Sequence, residues 1–172
     1  KGRNIVFILY LSTMMIPITV RLIPSYNLCR NLNMLDTYMG MILPQVAWSI
    51  PFGTFLMRQF YMGIPKQLDE AAKIDGANHF QIFWKILLPN TKSSMATLGI
   101  YTFISAWNNL IWMLLSVRSE SKWTVTLGIS SICGASVIKQ PTWNLIMGVI
   151  VIGMIPVLIL FFAFQKYFMQ SV

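Results

Sequence analysis

The chain has 172 residues, 56% of them hydrophobic and only 10% charged, with a net charge of +8 and a mean hydropathy of +0.63. So few charged side chains cannot cover a water-facing surface, which excludes an ordinary soluble domain and makes hydrocarbon the expected solvent. The positive balance does not point to nucleic acid, because the basic residues are scattered and mostly flank apolar runs.

Charged residues bound uncharged stretches at 4–20, 37–57, 93–117 and 140–165, each near or above the roughly 20 residues that cross about 30 Å of hydrocarbon as a helix. They are apolar all round, so a membrane barrel with alternating lumen-facing polar positions is excluded. The expected fold is all-α: a polytopic membrane helical bundle forming one domain, with spans over about 5–28, 37–60, 93–117 and 141–165. In the first span, Pro17, Arg21 and Pro24 predict a kinked helix. Arg21 lies toward its outer end and has two readings: it snorkels to the interface, or it faces a cavity and favours an anionic solute. A short turn at 29–36 leads to the second span, where Pro44 and Pro51 predict a bend around a cavity and Gln45 and Ser49 form a weak polar stripe.

The loop at 63–92 has a different character. Pro65 suits a helix first turn, Lys66–Ile74 holds good helix formers, and Asp75-Gly76 marks a helix end. Asn78 with Gln81 has capping-box spacing, and Phe80, Phe83, Trp84 and Leu87 follow as an apolar stripe of a second short helix. In the third span Thr102, Ser105, Asn109 and Trp112 fall at i, i+3, i+7 and i+10. This stripe reads equally as a solute path, where an amide and an indole would bond and stack against a sugar, or as interhelical glue. Residues 118–141 are too polar for a full span and predict a short outer helix or re-entrant segment. Cys29 and Cys133 both fall on the outer side, and two isolated thiols are the preferred reading over a disulfide. Lys1, Arg3, Arg58, Lys66, Lys73, Lys85, Lys92 and Lys166 share one side of the expected topology, against Arg30, Arg118, Lys122 and Lys139 on the other. The positive-inside rule puts the 63–92 loop and both chain ends in the cytoplasm.

Within that loop stand Glu70-Ala71-Ala72, then Asp75-Gly76, then Ile86-Leu87-Leu88-Pro89. This spacing resembles the signature loop of permease subunits of bacterial ATP-binding-cassette importers. The likeness extends to Met15-Ile16-Pro17, Ile23-Pro24-Ser25-Tyr26, Leu56-Met57-Arg58-Gln59-Phe60 and Trp107-Asn108-Asn109, which are similar to the carbohydrate-uptake branch. Two departures are Asn109, where members often carry an acidic residue, and Asn90-Thr91-Lys92-Ser93-Ser94, where a proline often follows Pro89. The resemblance implies an ATPase-docking role for Glu70, Ala71, Ala72, Asp75, Gly76, Ile86, Leu88 and Pro89. It also implies a second permease subunit, usually making a heterodimer, two cytoplasmic ATPases, an external solute-binding protein, and import of a carbohydrate or related solute across the bacterial inner membrane. Import of a peptide or other small solute by the same machinery is the alternative. Members usually have six spans, so about two are expected before Lys1.

No catalytic residue and no cofactor is expected in the chain itself. The phosphate loop G-x-x-x-x-G-K-[ST] is absent, so ATP and Mg are expected on the partner ATPase. His79, the single histidine, has no nucleophile or metal-ligand partner in register. A soluble-substrate enzyme is the rival from another class, but it needs clustered titratable groups in a membrane cavity, and the chain has only five acidic residues, three of them in the loop. A channel needing no ATPase is a third reading.

Overall fold

The computed structural model describes residues 2–139 and 143–169, which among themselves form helices and turns with no strand. The chain ends and the expected start of the fourth span at 141 lie outside the described residues.

Helix α1 (Gly2–Ser12) runs into a 3-10 turn at Thr13–Met15, and α2 follows at Ile18–Asn31. The two halves of the first apolar stretch meet at 98°, so the expected single kinked span at 5–28 is instead a broken pair of helices. The break is local chemistry. The Ser12 and Thr13 hydroxyls donate to the Leu9 and Tyr10 carbonyls at 2.7 Å, Ile16 is extended, and Pro17 has no N–H to continue the ladder. Pro24, by contrast, sits inside α2 without ending it.

Helix α3 (Tyr38–Gly63) contains the second expected span with Pro44 and Pro51 inside it, and Thr37 caps it by accepting from the Gly40 amide at 3.1 Å. The loop beyond it forms α4 (Lys66–Ile74), α5 (His79–Ile82), a π-helical turn at Phe83–Leu87 and α6 (Leu88–Asn90). The third stretch is α7 (Lys92–Trp107) and α8 (Leu110–Ser116), bent by 53° at Asn108–Asn109. A 3-10 turn at Glu120–Lys122 and helix α9 (Val125–Lys139) come next, and α10 (Trp143–Met169) follows. By length and composition α3 and α10 suffice to cross a membrane alone, and the α1–α2 and α7–α8 pairs each qualify together as a broken span or a re-entrant loop.

The tightest packing lies where α2, α3, α8 and α9 meet: Leu22, Cys29, Met41, Trp112, Met113, Val117 and Leu127 form one buried cluster. Trp112 is fully buried, donates its indole N–H to the Gly40 carbonyl at 3.1 Å, and meets Trp48 edge-on at 5.2 Å. At the other end Arg58 of α3 sits 4.1 Å over the Phe7 ring of α1. Elsewhere large apolar side chains stand uncovered, among them Ile152, Ile159 and Phe162 of α10 at 63% exposure or more. Faces of that kind are stable in hydrocarbon and not in water. Cys29 and Cys133 are both free thiols.

Candidate functional site

The loop between α3 and α7 is a hook that keeps most of its surface free: α4 and α5 bury one residue each, Ala72 and Ile82. Helix α4 starts after Pro65, and its exposed Asp69–Lys73 ion pair at i,i+4 adds about 0.3–0.5 kcal/mol. Its end is fully specified. Gly76 takes φ +79°, its N–H bonds the Lys73 carbonyl at 3.1 Å, and the Ala77 N–H bonds the Ala72 carbonyl at 2.9 Å. Together these make a Schellman cap, in which the glycine supplies the left-handed residue. The capping-box spacing is realised as well, with the Gln81 N–H on Asn78 Oδ1 at 2.8 Å and the Asn78 N–H on Gln81 Oε1 at 2.9 Å.

Of the residues expected in docking, Glu70, Ala71, Asp75, Gly76 and Pro89 are exposed, Ile86 and Leu88 are half-buried, and Ala72 is buried. Ala72 therefore packs against its own chain, and Ala71 is the small residue left on the free side. The apolar stripe Phe80, Phe83, Trp84, Leu87 does not form one buried face, since Phe80 is 72% and Trp84 53% exposed. The π turn at Phe83–Leu87 widens the helix there and breaks the register of the stripe. Sequence reading missed Thr91, which is almost fully buried and donates to the Leu87 and Leu88 carbonyls at 3.1 Å, closing the hook onto α7.

The second feature is a cavity of about 910 Å³ walled by α2, α3, α7 and α8. Helix α3 presents Met41, Gln45, Trp48, Ser49 and Phe52, which share a face at helical spacing. Thr102, Ser105 and Asn109 line the opposite wall, so six of the expected path positions reduce to five that share the cavity. Trp112 is the correction: it is not in the lining but in the core described above. The reason is the bend at Asn109, whose Oδ1 accepts from the Trp112 N–H at 3.4 Å and starts α8 in a new direction, so i+10 no longer continues the stripe. Asn109 Nδ2 also donates to Gln45 Oε1 at 3.3 Å, joining the two polar walls. The hydroxyls of Ser49 and Thr102 bond back to their own helices, at Val46 and at Leu98 and Gly99.

Aromatic and charged lining that the polar stripes did not single out is also present. Phe52 and Tyr101 lie 4.3 Å apart, tilted by 36°, and Trp48 and Phe103 add a third and a fourth ring. The face spacing 45, 48, 49, 52 in α3 was the available signal for Trp48 and Phe52. Arg21 lines the cavity, and its Nε is buried with no hydrogen-bond partner among the described residues. An unpaired buried donor costs about 1–3 kcal/mol, and more when charged.

Residues 1–172 match the family model described as binding-protein-dependent transport system inner membrane component. The chain is 39% identical over 170 residues to the sn-glycerol-3-phosphate transport system permease protein UgpE of Yersinia enterocolitica, covering 98% of this chain and 59% of that protein. It is 34% identical over 171 residues to the arabinooligosaccharides transport system permease protein AraQ of Bacillus subtilis, covering 99% of this chain and again 59% of the relative. Among solved structures it is similar to a chain of a bacterial ABC transporter involved in the import of the acidic polysaccharide alginate, with a TM-score of 0.80 and 28% identity, over 98% of this chain and 62% of that one. The chain thus spans about three fifths of the length of these relatives. A broken-helix bundle with a capped hook between its second and third apolar stretches, matched from end to end by one family model, belongs to the binding-protein-dependent transport system inner membrane components.

Proposed function

We propose that the protein is the translocation subunit of an ATP-driven importer and carries a carbohydrate or related solute into the cytoplasm. Family membership supports the transport class, and the names of the relatives support the solute class. The observation that carries the mechanism is the hook. Its two helices are fixed to each other by the Gly76 cap and the Asn78–Gln81 box, while Glu70, Ala71 and Asp75 remain free. Such an element transmits a push without bending. An ATPase seated on Glu70 and Ala71 moves α4–α6 as a lever, and α3 and α7, attached at its two ends, alternate the access of the cavity between the two sides. ATP and Mg belong to that partner, two copies of which drive two permease subunits supplied from outside by a solute-binding protein. Glu70 gives a carboxylate for a basic residue of the ATPase, and Ala71 lets the two backbones approach.

The test is charge reversal, Glu70→Lys, with the subunit inserted at the normal level. The expected result is loss of ATPase co-purification and of coupled uptake, with the fold intact because Glu70 has no contact to lose in its own chain's core. Normal ATPase association and uptake in this variant would remove the docking assignment.

A further inference from the structure

We infer that Arg21 is the specificity-determining residue of the cavity and that the solute it serves carries a negative charge, a phosphate or carboxylate on a sugar or polyol. This inference rests on the transport reading above and adds the class of solute.

Among the described residues Arg21 is the single charged side chain in the cavity lining; no carboxylate shares it. Its surroundings on the other walls are neutral: Gln45, Ser49, Thr102, Ser105 and Asn109. A guanidinium is a fixed positive charge with five donors and no acceptor, and inside a membrane protein it persists only where something satisfies it. Here Nε is out of solvent and unpaired, and no Asp or Glu bridges to Arg21 among the described residues. The amide oxygen of Gln45 accepts from Asn109 Nδ2 at 3.3 Å, and no bond joins it to Arg21. The lining hydroxyls of Ser49 and Thr102 donate to helix carbonyls and are neutral acceptors, which leave the guanidinium charge uncompensated. The cavity is therefore one positive charge facing neutral dipoles and four aromatic rings, and the group that complements it is a planar or tetrahedral oxyanion held by the guanidinium fork, with its polyol body on rings such as Trp48, Phe52 and Tyr101. The position of Arg21, in the first helix after the 98° break, is what turns it inward.

The experiment uses the complete importer in proteoliposomes, with its permease partner, ATPases and binding protein. Uptake is measured for glycerol phosphate, a uronic-acid oligosaccharide and a neutral oligosaccharide of equal length. Wild type is compared with Arg21→Gln and Arg21→Lys at matched amounts of assembled complex. Expected is import of an anionic probe by the wild type and a fall of about ten- to a hundredfold in Arg21→Gln, the range for one charge-assisted pair. Arg21→Lys keeps the charge and recovers part of the rate. An unchanged ratio of anionic to neutral uptake in Arg21→Gln overturns the inference, as does a wild type that imports the neutral probe alone; both leave the transport reading standing. An arginine that merely pairs with the second permease subunit lowers the yield of complex in Arg21→Gln without changing that ratio, which also overturns it. If no probe of either class enters or stimulates ATP hydrolysis, the transport reading falls and this one with it.

Discussion

Asp36 holds more of its end of the bundle together than any other side chain between α2 and α3. Its Oδ1 accepts from the Arg118 and Ser119 amides at 3.1 and 3.0 Å, Oδ2 accepts from the Ser119 hydroxyl, and Lys122 Nζ reaches both its carboxylate and its backbone carbonyl. The residue is left-handed, at φ +56°, and its own N–H bonds the Ser116 carbonyl at 2.7 Å. Bonds from the Ser119 hydroxyl first, then the Ser119 and Arg118 amides, hold its carboxyl well below the usual carboxylate range, against a smaller opposing effect of desolvation. A folded-state pKa below the unfolded one gives stability that is complete above about pH 4 and is lost as the pH falls below that value. Thermal unfolding of the solubilised protein should therefore show a shallower acid-side slope in Asp36→Asn than in the wild type. Equal slopes would mean that this carboxylate is not what ties the α2–α3 turn to the segment before α9.

At the scale of the element, Gly76 separates strain from crowding. A Cβ there would meet nothing within 4 Å, so the only obstacle to a side chain is φ +79°. The left-handed region costs an L-residue about 1–2 kcal/mol, and least for Asn. Coupled uptake and ATPase association should thus decline in the order Gly76→Asn, Gly76→Ala, Gly76→Val, and an order following side-chain volume alone would show that the partner surface, not the cap, requires glycine. Gly40 is the opposite case, because a Cβ there would lie 2.1 Å from the Met34 carbonyl oxygen. Its glycine permits close approach, whereas that of Gly76 permits a conformation.

For the molecule as a whole, the distribution of basic residues predicts the orientation. The hook, with Lys66, Lys73, Lys85 and Lys92 in or beside it, belongs on the positive side, and the segment holding Arg118 and Lys122 on the other. With Cys29 and Cys133 replaced, single cysteines at Lys73 and Lys122 should label from opposite sides, the second alone reacting with an impermeant reagent outside intact cells. Reaction of the Lys73 position from outside would invert the topology and take the docking proposal with it.

Composition and spacing alone determined the helical membrane class, the approximate limits of the apolar stretches, the glycine cap and the capping box of the hook, because each depends on residues within a few positions of one another. The motif that runs from Glu70 to Pro89 was legible for the same reason. Tertiary structure decided what depends on direction. The 98° turn before α2 and the 53° turn before α8 re-aim every side chain after them, which sends Arg21 into the cavity and takes Trp112 out of it. Asp36 and its partners lie 80 or more positions apart, so no local period announces that clamp. A helical repeat fixes which residues share a face only while the helix stays continuous, and here two of the four apolar stretches do not.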